Sequence, residues 1–530
     1  MVDHRLRHGP TRVQEWFRRD IEARVAERVG GPARLRVVVL LASVLGLSAA
    51  DQATVGAVAT QLERALGVGN FQIGLLVTVS TGVGAVAALP AGVLADRVKR
   101  TRLLVITICL WVAAMVASAV SVSYLWLLFS RLALGAVVAV AGPAVGSLTG
   151  DLFPVSERGR IYGFILTGEL VGAALGVLIS GDVAAAAGWR AAFGVLAVPG
   201  LALAVAIWAQ FPEPARSGRS RLPEGAEHIV SAEEAADTPA ETDAGDPTPS
   251  PDGNDGTGVA QEVQEEGIDP RQGLVLTGEP AKMSLWDAVR YVLRIPTNLL
   301  LIVASALGYF YFSGLRTFAV EFLRGRFGLG QGAATNLFVA IGLGAIIGVL
   351  VAGRLADHLL ARRQIDARIV VAGGAFLVAA GLFLPGLVLR SLALAVPLFF
   401  IGAAGLGGAN PPLDAARLDI MHSRLWGRAE AVRTLFRSSL VAAAPLLFGF
   451  VSTQLGGRTS GLGHPTGPLA PGAPSLDLTF LVMLIPLAAA GIILLRARRT
   501  YPRDVATAIA SEHATRGNRA EAGIGRDGDV

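Results

Sequence analysis

Twelve apolar runs, each near the length of a membrane-crossing helix, constrain this 530-residue chain more than any other feature. They fall at 36–60, 71–95, 103–122, 124–150, 159–182 and 189–210, then at 296–322, 332–358, 367–389, 391–415, 430–455 and 477–497. About 20 apolar residues wound as a helix cross about 30 Å of hydrocarbon. A helix is suited to that medium because it pairs its own backbone polar groups. The expected fold class is an all-α membrane protein with twelve transmembrane helices. Composition agrees: 52% of residues are hydrophobic, 16% are charged, and the mean hydropathy is +0.55. Such a chain is too apolar for an ordinary soluble enzyme.

Between the two sets of six runs the character changes. In 211–285 acidic residues outnumber basic ones by about three to one, and Pro, Gly, Ala and Thr are frequent. That composition buries too little apolar surface to offset chain entropy, so a disordered linker is expected. The organisation predicted is an amphipathic basic helix over 1–35 and a first helical unit over 36–210. The linker 211–285 follows, then a second unit over 286–497 and a disordered tail over 498–530. The N-terminal segment, with Val13, Phe17, Ile21, Val25 and Val29 at every fourth position, suits an anionic membrane surface or a face of the bundle. The Gly/Pro-rich loop 456–476 is either an irregular cap over the outer mouth or a connection with no role, and the second is the reading taken.

The loop Gly92–Arg102 (GVLADRVKRTR) joins the second and third runs and carries Arg97, Lys99, Arg100 and Arg102. Basic residues mark cytoplasmic loops. A weaker copy, GRLADHLLARR, begins at Gly353, 261 residues on. A second pair, DLFPVSERGR from Asp151 and DIMHSRLWGR from Asp419, is offset by 268 residues. Matching signals in matching order indicate an internal parallel repeat.

The GxLADRxxR loop and its looser copy resemble the signature of the major facilitator superfamily. The resemblance implies two six-helix bundles, a substrate path between them, alternating access and cytoplasmic termini in the plasma (inner) membrane. It also implies an inner gate at Gly92, Asp96, Arg97, Arg100, Gly353 and Asp357, with Asp96 bracing the start of the eleventh span.

Ionisable groups within spans cost about 2.5–3.5 kcal/mol to insert, so each needs a partner or a purpose. Asp51, Arg131, Glu169 and Arg316 are such groups in the first, fourth, fifth and seventh spans. Either they form structural ion pairs, or they serve transport. By resemblance, the first, fourth and seventh spans line the central cavity.

Ala50-Asp51-Gln52 with ATVG after it, Arg131-x-x-x-Gly135, DLFP at 151 and GWR at 188 resemble the spinster-like branch. That branch is associated with lysophospholipids and related single-chain lipids. Two departures stand out. Gln52 replaces the branch's arginine, and Val138 replaces a glutamate seven residues after the span-four arginine. A valine cannot titrate, so Asp51 and Glu169 are left as candidate proton-coupling acids. Arg131, Arg316, Arg437, Tyr309 and Tyr311 are candidates for substrate contact or charge pairing. Each has an alternative: the tyrosines fill the bundle, and Arg437, like Arg433, snorkels to the interface. Gly168, Gly172 and Gly176 permit close helix packing, and Asn410-Pro411-Pro412 should interrupt the tenth span.

Enzyme classes lack their parts. No phosphate loop, HExxH or GxSxG is present. The single cysteine, Cys109, allows no intramolecular disulfide or thiolate cluster. No cofactor or metal is expected. The net charge of +5 is explained by loops and termini rather than by nucleic acid. Lysine occurs only at 99 and 282 beside abundant arginine, which suggests a GC-rich bacterial source. The function expected is a proton-coupled secondary transporter, monomeric, for a lysophospholipid or similar amphiphile, in contact with membrane lipids. The alternatives are a proton-driven exporter of drugs or small metabolites and a transport-inactive receptor or scaffold.

Overall fold

The computed structural model describes residues 29–153, 155–214, 222, 225, 258–278, 283–422, 425–459 and 473–524. Among them no strand occurs, and twelve helices are long and apolar enough to cross a membrane. Most of the N-terminal amphipathic helix, most of the linker and most of loop 456–476 lie outside the described residues.

In chain order the first helices are α1 (Pro32–Leu66), α2 (Asn70–Arg97), α3 (Arg100–Ala119), α4 (Tyr124–Val138), α5 (Ala141–Leu152), α6 (Val155–Ala187) and α7 (Trp189–Gln210). Short α8 (Gly258–Glu265) and α9 (Leu285–Arg294) lead into α10 (Pro296–Phe327) and α11 (Gln331–Ala361). Then come α12 (Ala367–Val388), α13 (Leu392–Gly408), α14 (Asn410–Asp419), α15 (Trp426–Thr459), α16 (Ala473–Ala497) and α17 (Tyr501–Ile524). Local chemistry sets several ends. Ser123 caps α4 by accepting from Trp126 N at 3.2 Å. Pro296 opens α10, and Gly328, at φ +66°, closes it in the left-handed conformation.

Two compact units emerge. One comprises residues up to Val58 and 83–243; the other comprises 59–82 and 244–530. The dividing line departs from the sequence boundary, because the hairpin 59–82 groups with the second unit.

Within the first unit, α3 packs on α7 and α4. Glycines let α6 lie backbone to backbone on α1: Gly168 faces Ala42, Gly172 faces Gly46, and Gly176 faces Ala50. One turn further, Thr54 and Ser180 share a 2.8 Å hydrogen bond on the same seam. At the end of α7, Glu213 accepts from the backbone N–H groups of Arg100 and Thr101, each at 2.8 Å, and so caps α3. The side chain of Arg34 donates to Leu222 O at 2.9 and 2.6 Å.

In the second unit α12 packs on α16 as α3 does on α7, and α10 packs on α16 and α15. Part of the segment expected to be disordered is instead docked. Helix α17 lies on α8, and Arg271 Nε donates to Asp504 at 2.7 Å. Arg271 N donates to Thr507 and Leu276 N to Ser511, at 2.9 and 3.0 Å. Asp504 also accepts from Thr297 N at 2.9 Å, capping α10. Tail and linker are polar, yet each supplies hydrogen-bond partners that the other needs. Composition read one segment at a time does not reveal that.

Candidate functional site

The deepest charge in the first unit is a pair. Asp51, midway along α1, and Arg131 on α4 are 0% and 1% exposed. Arg131 donates from both terminal nitrogens, to Asp51 Oδ1 at 2.6 Å and Oδ2 at 3.1 Å. This is the bidentate fork that guanidinium and carboxylate geometry favours. Phe193 of α7 stacks beneath the guanidinium with its ring centroid 5.8 Å from Cζ, and Met115 Sδ lies 4.0 Å from Nη1. Arg131 Nε is buried without a partner. Asp51 directly follows Ala50, so the glycine seam between α1 and α6 fixes the depth and rotation of the carboxylate.

Glu169 is placed differently. It is exposed on α6 beside Gly168, seven residues before the Gly176 that abuts Ala50. At 1.5 Å per residue that is about 10 Å along the helix from the level of the ion pair. Val138, where the branch would carry an acid, lines a small cavity with Ser48, Thr107 and Trp111.

The second unit brings together Arg437 and Tyr309, the guanidinium lying 4.8 Å from the ring centroid. Tyr311 is fully buried among Phe383, Phe448 and Phe480, with centroids 5.7–6.4 Å away. Its hydroxyl has no hydrogen-bond partner. It also lines an apolar cavity with Leu315, Phe322, Phe338, Ile341 and Phe399. Arg316 is half-buried on α10. Arg433 does not snorkel: it is 5% exposed and paired with Asp414 at 2.6 Å. The break in the tenth span is real but mild, a step at Ala409 between α13 and α14. The fourth span has its counterpart between α4 and α5.

Of the inner-gate residues, Gly92, Asp96 and Arg97 belong to α2, but their side chains lie outside the described residues. Gly353 is half-buried and Asp357 exposed. Arg100 is buried against Asp151 and also donates to Ser147 at 3.0 Å. Its repeat mate, missed from the sequence, is Arg368 paired with Asp419; both members lie 268 residues on. Tyr501 donates to the same Asp419. Burial, with the carboxylate beside it, holds the Tyr501 hydroxyl well above the usual tyrosine range.

The sequence model of the Major Facilitator Superfamily matches residues 41–445. The chain belongs to that superfamily. This major facilitator transporter is similar in fold to a bacterial homolog of the human lysosomal transporter Spinster, solved inward-facing and unoccupied. The TM-score is 0.69 at 20% identity, covering 89% of this chain and 98% of that one. The occupied form of that homolog gives 0.67 at 19% identity, with the same coverage. The nucleoside transporter NupG gives 0.57 at 10% identity, covering 87% of this chain and 98% of that one.

Proposed function

We propose that this transporter is a proton-coupled secondary carrier of a lysophospholipid or similar single-chain amphiphile. In this proposal it works by alternating access in the plasma membrane with both termini cytoplasmic. The observation that carries the reading is the Asp51–Arg131 pair, bidentate and sealed from solvent. A proton on Asp51 removes the counter-charge that holds the guanidinium and leaves Arg131 to seek another anion, such as a phosphate headgroup. Proton and anionic substrate are thereby coupled through one side chain. Val138 is not titratable, and in this reading Asp51 carries the coupling, with Glu169 as a second acid on the exposed face of α6. The apolar aromatic cavity under Tyr311 suits an acyl chain. Arg437 over Tyr309 offers a further cation for an anionic headgroup. The choice of cargo class follows the sequence resemblance of Ala50-Asp51-Gln52, Arg131, DLFP and GWR to the spinster-like branch.

The test is transport of a spin- or fluorophore-labelled lysophospholipid by proteoliposomes, with and without an imposed pH gradient. The wild type should respond to the gradient, and Asp51→Asn should move lipid without that response or not at all. A full gradient response in the Asp51→Asn, Glu169→Gln double variant would overturn the coupling. Transport of cationic drugs in place of lysolipids would overturn the cargo.

A further inference from the structure

A second pair of buried acids stands apart from Asp51, inside the second unit. Glu63 lies in the last turn of α1 and Glu321 in the last two turns of α10. They are 3% and 0% exposed. Asn70, the first residue of α2 and 4% exposed, reaches both. Its amide orientation follows from its neighbours. With Oδ1 accepting from Ser452 Oγ of α15 at 2.6 Å, Nδ2 donates to Glu321 Oε1 and Oε2 at 3.1 and 3.3 Å and to Glu63 Oε1. That single amide nitrogen brings the two carboxyl groups together at one point. Glu63 Oε2 is buried with no protein donor.

The hydrogens do not suffice. One amide group cannot satisfy the oxygens of two buried carboxylates gathered around it, and a proton on one of them supplies a donor that the pair otherwise lacks. The charged groups facing the pair are Arg64 of α1, which is exposed, and Arg324 of α10. Neither forms an ion pair with it, and Nε and Nη1 of Arg324 are themselves buried without partners. From α2 and α15 the facing groups are the neutral Asn70 and Ser452. Backbone contact closes the surroundings: Gly449 abuts the Asn70 carbonyl, Gly74 abuts the Pro445 carbonyl, and Leu446 N donates to Thr78 at 3.2 Å.

We propose that Glu63 and Glu321 form a proton-binding site that holds one shared proton and latches the hairpin 59–82 onto α10 and α15. Two bare carboxylates bridged by one amide, with no paired cation among the described residues, repel each other, so loss of the proton opens the latch. The site is independent of Asp51 and of the cargo. In an alternating-access carrier it supplies a reason for the hairpin to leave the second unit at alkaline pH and to return at acid pH.

The experiment uses the full chain in lipid nanodiscs, without substrate or gradient. Two readouts are taken across a pH titration: the infrared C=O stretch of protonated carboxyl groups, and deuterium exchange of backbone amides in 59–82. The wild type should lose one buried carboxyl band on alkalinisation, with hairpin exchange rising in step. Glu321→Gln and Glu63→Gln substitute a permanent donor for the proton. Each should lose that band and keep the hairpin protected at every pH. Persistence of the band and of pH-dependent exchange in both variants would overturn the proposal. So would hairpin protection that follows sodium concentration at fixed pH, which would mark a cation site. Because no transport is measured, failure of coupling at Asp51 leaves this result unaffected.

Discussion

At the scale of single residues, cost depends on what a substitution leaves behind. Asp51→Ala strands a fully buried guanidinium, and breaking a buried pair on one side costs about 3–5 kcal/mol. Removing both charges, as in Asp51→Leu with Arg131→Met, should cost far less, because no uncompensated charge stays inside. A double-mutant cycle read by thermal unfolding in detergent checks this, with strong non-additivity expected. Val138 tests the same logic from the other side. Val138→Glu places an acid among Ser48, Thr107 and Trp111, whose indole N–H is buried and without a partner. Transport in proteoliposomes should become more steeply dependent on the imposed pH gradient, while thermal stability falls by about 1–3 kcal/mol for the buried carboxyl. The candidates Asp51 and Arg131 were visible as charges inside apolar runs. Glu63 was not, because the first run ends at 60 whereas its helix continues to Leu66, and Glu321, at the very edge of the run 296–322, has no partner that spacing along the chain points to.

At the scale of elements, the seam between α1 and α6 sets how Asp51 is presented. A Cβ at Gly172 would collide with the backbone of Gly46, whereas one at Gly163 on the same helix meets open space. Gly172→Ala should therefore destabilise by about 1–3 kcal/mol through overpacking. Gly163→Ala should be neutral or slightly stabilising. Paired melting curves of the two variants decide it. The repeat supplies a second comparison. Arg100–Asp151 and Arg368–Asp419 occupy equivalent places in the repeat, and Tyr501 donates to the carboxylate of the second. Tyr501→Phe should cost about 1 kcal/mol, the worth of one hydrogen bond. Asp419→Ala, which strands Arg368, should cost about 3–5 kcal/mol. The offset of 268 between Asp151 and Asp419 already pointed from Arg100 to Arg368. That arithmetic was available in the sequence, and the pairing it implied was not.

At the scale of the whole molecule, the tail is structural. Asp504 is 1% exposed and joins the linker at Arg271 to the start of α10 at Thr297. Asp504→Ala should free the Arg271–Gln272 bond for trypsin while leaving the membrane-spanning helices folded, as read by limited proteolysis and circular dichroism. Unchanged resistance at Arg271 would show that the linker is held by other means.

The sequence by itself determined the twelve crossings, the internal repeat and the superfamily. Each depends on hydropathy and spacing along a stretch of chain, and a helix in lipid closes its own hydrogen bonds without help from distant residues. Which charges meet was decided only by the tertiary structure. Asp51 finds Arg131, Asp504 finds Arg271, and Glu63 lies against Glu321 across 80, 233 and 258 residues. Those meetings depend on where each helix ends and how it is rotated. Both are set by the small-residue seams and packed rings of its neighbours, which no single stretch of sequence contains.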